Sequence, residues 1–152
     1  MDIHNHSVGG IQEEPAAASR IAKGITTLAL GADGGGTFEV KEFLDEIEAH
    51  PPAPNVLTFV GHGTVRRHVL GDDFKRRASD PEINEMGELV EQAMREGACG
   101  LSSGLEYDPG FYSSADEVIR LANIASRHDG IYMRHIPNTT SGRSRKLPMT
   151  GR

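Results

Sequence analysis

A chain of 152 residues with 37% hydrophobic content can bury one ordinary core, and a second independent domain would be a tight fit. Its 18 glycines, few aromatics and lack of tryptophan suit strand-to-helix turns better than a sandwich or a coiled coil, and a lone cysteine, Cys99, excludes an internal disulfide framework. The net charge of −6 hides an acidic body, with 11 basic against 22 acidic side chains through Asp129, and a basic tail with five basic residues and no acid, which argues against nucleic acid as the main partner.

In chain order, the phrase MDIHNH comes first. His4 and His6 are two apart, so on an extended strand both imidazoles project from one face, as a strand offers two nitrogens to one metal ion. EEPAAASRIAK, Glu13 to Lys23, is read as a first helix, and GITTLAL, Gly24 to Leu30, as a short, nearly continuous apolar strand of the buried parallel kind. FEVKEFLDEIEAH sets Phe38, Phe43, Leu44 and Ile47 at roughly helical spacing before a proline-rich stop. NVLTFVG, Asn55 to Gly61, is the next strand. Ser79-Asp80-Pro81-Glu82 opens a helix that ends on Gly97. ACGLSSG follows as a strand; Ser114 and Glu117 form a capping-box pattern before a helix with the stripe Val118, Leu121, Ala122 and Ala125; GIYMRHI closes the series as a fifth strand.

The alternation predicts an α/β fold, either a doubly wound sheet or a (β/α)₈ barrel. A barrel needs about 250 residues, so this chain would supply four and a half of eight units, the N-terminal half of a TIM-type barrel. Barrel enzymes place their chemistry at the C-terminal ends of the strands. Here those ends carry His4 and His6, then Asp33, then His62, then Ser102, Ser103 and Tyr107, then His135. Each alone has an ordinary explanation: Asp33 in LGADGGGT is also a turn aspartate, and His62 in GHGT also fits a histidine bonded to nearby backbone. The glycine-rich loop 31–37 offers a lesser rival reading, a phosphate- or nucleotide-binding module, but it matches neither standard phosphate-loop spacing and no lysine follows. The segment 137–152 lacks apolar periodicity and is expected to be a disordered basic tail after a domain at 1–136. No apolar run approaches the roughly 20 residues that span a bilayer, so a soluble, cytoplasmic protein without a membrane partner is expected.

The phrases DIHNH, GITTLALGADGG, NVLTFVGHGTVR and EGACGLSSGLEYDPGFYSSADEVIRLANIASRHDGIYMRHI, in that order and spacing, resemble the N-acyl-D-amino-acid deacylase (D-aminoacylase) branch of the amidohydrolase superfamily. The resemblance implies a metal-dependent (β/α)₈ hydrolase, usually holding one or two zinc ions, that cleaves the amide of an N-acyl-D-amino acid. It implies metal ligation by His4, His6 and His135, with Asp33 in the place where the best-known members carry a cysteine ligand. It gives Tyr107 a role in holding the substrate carboxylate, and places His62 and Arg66 where they could orient ligand or substrate. The family's strand-six histidine and strand-eight aspartate, the proton shuttle, have no counterpart in this sequence, so the resemblance implies a fragment, inactive alone and prone to self-association through uncovered barrel edges. After His135 the family pattern gives way to HIPNTTSGRSRKLPMTGR, which is expected of a shifted reading frame.

Overall fold

The computed structural model describes residues 1–6 and 8–135. The elements are α1 (Val8–Glu13), α2 (Ala18–Ile21), β1 (Thr27–Leu30), α3 (Val40–Ala49), β2 (Asn55–Thr58), β3 (Val60–Gly61), α4 (His62–Leu70), α5 (Asp80–Arg95), β4 (Gly100–Ser103), α6 (Ala115–Arg127) and β5 (Ile131–Arg134). The expected tail at 137–152 lies outside the described residues.

Every strand pairing is parallel. β1 pairs with β2 from Thr27 opposite Asn55 to Leu30 opposite Thr58, while β3 pairs with β4 and β4 with β5, Gly100 opposite Ile131. The stretch Asn55 to Gly61 is thus one course of chain that changes neighbours at Phe59. The Phe59 amide donates to the Leu30 carbonyl at 3.0 Å and the Cys99 amide to the Thr58 carbonyl at 2.8 Å, which carries the array across the break. At its other margin Asp2 bridges Leu28. The strands therefore stand side by side in sequence order, the arrangement that right-handed helical crossovers produce.

Two apolar clusters hold the helices on the strands. Leu28 and Leu30 pack with Ile25, Phe43, Ile47 and Val56, so α3 covers β1 and β2. The larger cluster joins Val60 and Leu101 to Val65 of α4, to Ile83, Met86, Val90 and Met94 of α5, and to Leu121 and Ala125 of α6. The i, i+3, i+4 recurrence along α5 creates that buried stripe. Its start is a capping box, Ser79 and Glu82 satisfying each other's backbone amides, with Pro81 in the first turn where no amide partner is needed. At Gly87 a Cβ would meet Ile124 Cδ1 at 2.9 Å, so the missing side chain lets α5 and α6 approach.

Three elements differ from the sequence expectation. Residues 3–6 are not strand, and only Asp2 makes a ladder contact. Of the helix expected over 13–23 only Glu13, the last residue of α1, and the single turn α2 are helical, because Pro15 lacks an amide and disfavours helix at the residue before it, and Ala17 turns left-handed at φ 42°. α4 was not foreseen. Its buried residues His62, Val65, Arg66 and Leu70 recur at helical spacing, but two are polar, so hydrophobic periodicity does not register them.

Candidate metal centre and the loops that build it

Asp33 stands on the loop leaving β1. Its backbone is left-handed, φ 57°, a conformation aspartate tolerates better than most residues. Ser102 of β4 fixes the loop from below, its Oγ donating to the Gly31 carbonyl at 2.5 Å and accepting the Gly34 amide at 3.1 Å. The glycines let the loop lie against the next strand: a Cβ on Gly36 would fall 2.0 Å from the Phe59 carbonyl oxygen, and one on Gly61 2.4 Å from the Gly36 amide nitrogen. The Gly35 amide is spent on the Ala32 carbonyl. The loop read as a phosphate cradle thus commits the amides of residues 34 and 35 to the protein itself.

Around Asp33 three histidines converge. Its Oδ2 lies 3.3 Å from His4 Nε2 and 3.2 Å from His6 Nε2, and those two nitrogens are 3.2 Å apart. Its Oδ1 lies 3.1 Å from His135 Nδ1. Donor atoms of His4, Asp33 and His135 all fall within 4.8 Å of one another. A tetrahedral ion bound at about 2.1 Å separates its ligands by about 3.4 Å, close to the 3.1, 3.2 and 3.3 Å at which the imidazole nitrogens stand from the Asp33 oxygens. Mixed nitrogen and oxygen donors suit zinc and its neighbours among divalent metals. The site also faces outward, with side chains of His4 and His6 43% and 66% exposed above Asp33 at 12%.

The histidine pair reaches this place without a strand. Asp2, at the ladder contact, accepts the His4 amide at 3.3 Å, the Asn5 side-chain amide at 2.9 Å and an Arg20 guanidinium N–H at 3.2 Å, so one carboxylate folds the segment back on itself. The Asn5 hydrogen bond leads in holding the Asp2 carboxyl below its ordinary range. His135 follows β5 directly, its amide donating to the Ser103 carbonyl.

The substrate-handling residues expected from the sequence divide. Tyr107 lies beside the cluster, half-exposed, its ring centroid 5.6 Å from that of His135. His62 and Arg66 do not face solvent at the rim as expected. Both are fully buried: His62 Nε2 lies 2.8 Å from Glu117 Oε1, and Arg66 pairs with Glu117 Oε2 and donates to the carbonyls of Pro109, Phe74 and Arg76. With its fork committed and no accessible surface, Arg66 here knits loops instead of offering charge to a ligand. Burial pushes the Glu117 carboxyl up, but the hydrogen bonds from His62 and Arg66 outweigh it and hold the group below its ordinary value. The capping box read at Ser114 is half formed: Ser114 Oγ accepts the Glu117 amide, while the Glu117 side chain turns inward. In the sequence Glu117 is legible only as a cap, and neither Asp2 nor Glu106, which lies 3.6 Å from His135 Nε2, carries a motif of its own. Cys99 precedes β4, half-buried, and burial pushes its thiol up.

No family model matches the chain. It is 31% identical to a D-aminoacylase of Alcaligenes xylosoxydans over 90% of its own length and 33% of that protein's. Among solved structures, a D-aminoacylase described as defining a novel subset of amidohydrolases superposes with a TM-score of 0.82 at 27% identity, over 89% of this chain and 33% of that one. An N-acyl-D-glutamate deacylase from Bordetella bronchiseptica, complexed with zinc and a phosphonate mimic of the tetrahedral intermediate, superposes at 0.83 with 26% identity, over 90% and 33%. The chain is therefore related to the N-acyl-D-amino-acid deacylase branch of the amidohydrolases. It spans about a third of the length of these relatives.

Proposed function

We propose that this chain forms the first five staves of a (β/α)₈ amidohydrolase barrel, residues 1–136, and supplies metal ligands for hydrolysis of N-acyl-D-amino acids. The observation that carries this is the meeting of His4, His6 and His135 on the single carboxylate of Asp33, from places up to 131 residues apart in the chain. Sequence-ordered parallel strands support the barrel, because they deliver their C-terminal ends to one rim.

His4, His6, Asp33 and His135 would hold the divalent cation, which we take to be zinc. Such an ion supplies polarisation of the amide carbonyl and acidifies a bound water. Asp33, with one oxygen toward the His4 and His6 pair and the other toward His135, is placed to span the two halves of the ligand set. Tyr107, at the open side of His135, would orient the substrate's carboxylate through its hydroxyl. His62 and Arg66 act behind the rim, holding the loops that carry these groups.

The test is zinc titration of the purified chain with competing chelator. The wild type should take up zinc, and His4→Ala and His135→Ala should each abolish uptake without loss of the folded circular dichroism signal. N-acetyl-D-amino acids should not be turned over by the chain alone, since no residue here matches the strand-eight aspartate. Robust turnover, or wild-type zinc uptake by the histidine variants, would defeat the proposal. The edge of β5 completes the picture: Ile131 is 60% and Tyr132 40% exposed there, and self-association through this edge is expected as a concentration-dependent rise in sedimentation coefficient.

A further inference from the structure

We propose that Glu106 is a positioning residue for His135, accepting its Nε2–H so that Nδ1 presents a lone pair toward Asp33 and the histidine pair. This rests on the metal-site proposal above and extends it to a residue outside the ligand set.

A neutral imidazole has one N–H and one lone pair, and the partner of the first decides where the second points. His135 lies between two carboxylates. Its Nδ1 is hydrogen-bonded to Asp33 Oδ1 at 3.1 Å and its Nε2 is 3.6 Å from Glu106 Oε2, a little longer than a hydrogen bond, so ligation through Nδ1 would send the ring proton to Nε2 and draw Glu106 in to accept it. The Asp33 side is the cluster side, where the donors of three residues gather within 4.8 Å. The Glu106 side is the outer one. A ligating histidine ordinarily gives its far N–H to a carboxylate, carbonyl or water, which fixes tautomer and ring angle and raises basicity.

The loop carrying Glu106 is held firmly enough to serve. A Cβ on Gly104 would lie 2.3 Å from the Asp33 carbonyl oxygen, so the loop after β4 rests directly on the loop that bears the shared carboxylate. The Tyr107 amide donates to the Gly104 carbonyl at 3.2 Å, and the Phe111 amide to the Tyr107 carbonyl at 2.9 Å. Buried Arg66 donates through Nε to the Pro109 carbonyl at 3.1 Å. The Tyr107 ring lies beside the imidazole, the two centroids 5.6 Å apart and the rings tilted by 54°.

The experiment is zinc affinity of the chain and of Glu106→Ala, Glu106→Gln and His135→Ala, with the His135 Nε2–H followed by proton–nitrogen correlation at saturating zinc. Glu106→Ala should bind about 10- to 100-fold more weakly, and its Nε2–H signal should be lost to solvent exchange. Glu106→Gln, whose amide oxygen still accepts, should recover affinity and signal in part. Matching thermal melts show that the variants are folded. Wild-type affinity in Glu106→Ala overturns the proposal. Weakened binding with an unchanged Nε2–H signal also overturns it, and makes Glu106 a ligand. A wild-type chain that takes up no zinc, or a His135→Ala variant that binds like wild type, defeats the metal site itself.

Discussion

Two histidine–carboxylate clusters lie close together in this molecule and differ in nearly everything but composition. In one, Glu117 divides its oxygens between His62 and Arg66, all three fully buried. In the other, Asp33 divides its oxygens between the His4 and His6 pair and His135, under side chains that stand open to solvent. The sealed cluster has spent its lone pairs and protons on the protein, His62 Nδ1 alone lacking a partner among the described buried side-chain atoms. The open cluster crowds polar atoms on one another, with two imidazole nitrogens facing each other at 3.2 Å. On the function proposed above, the same side chains serve as structure where water is excluded and as a receptor where it is not.

The largest expected effect falls on the sealed cluster. Glu117→Gln strands a buried guanidinium and should cost about 3–5 kcal/mol of stability, read from the shift in urea midpoint. That cost has a pH dependence of known sign. The folded carboxyl titrates below its unfolded value, so its contribution is complete above the unfolded pKa of about 4.3 and is lost as pH falls through the folded value. The gap between wild type and Glu117→Gln should therefore be constant from pH 7 to about 5 and shrink below about 4. A gap of the same size at pH 3 would mean that packing, not charge, maintains the cluster.

The complementary variant is Asp33→Asn. Asparagine accepts the left-handed backbone at this position, so stability should move by no more than about 0.5 kcal/mol. Zinc affinity should fall by at least about 100-fold, more than the range for outer-shell changes. Equal losses of stability in both variants would erase the distinction between the two clusters. The smallest effect expected is for Ser114→Ala, which removes the cap of α6 beside Glu117 and should cost about 1 kcal/mol, with zinc affinity unchanged.

Much of this was legible in the sequence, and the exceptions share a cause. Asp33 and His135 stand out because each closes an apolar run, His4 and His6 because of their H-x-H spacing, and strand ends are where parallel sheets expose chemistry. The helices α5 and α6 announced themselves by caps and stripes. By contrast α4 was hidden because its inward face is half polar, and Glu117 because its partners lie 51 and 55 residues away. A buried ion pair makes its own periodicity only after the partner is known. The opening segment misled in a milder way: the H-x-H spacing suggested a strand, whereas Asp2 gathers the two imidazoles by local hydrogen bonds.

The left-handed turn at residue 33 also sets the terms on which the centre could be re-engineered. Installing a thiol there to favour softer ions would force a Cβ-bearing residue without aspartate's local compensation into φ 57°, at a cost of about 1–2 kcal/mol. That backbone cost would be set against whatever thiolate ligation gains, so Asp33→Cys should lose about 1–2 kcal/mol of stability while its metal preference moves toward softer ions.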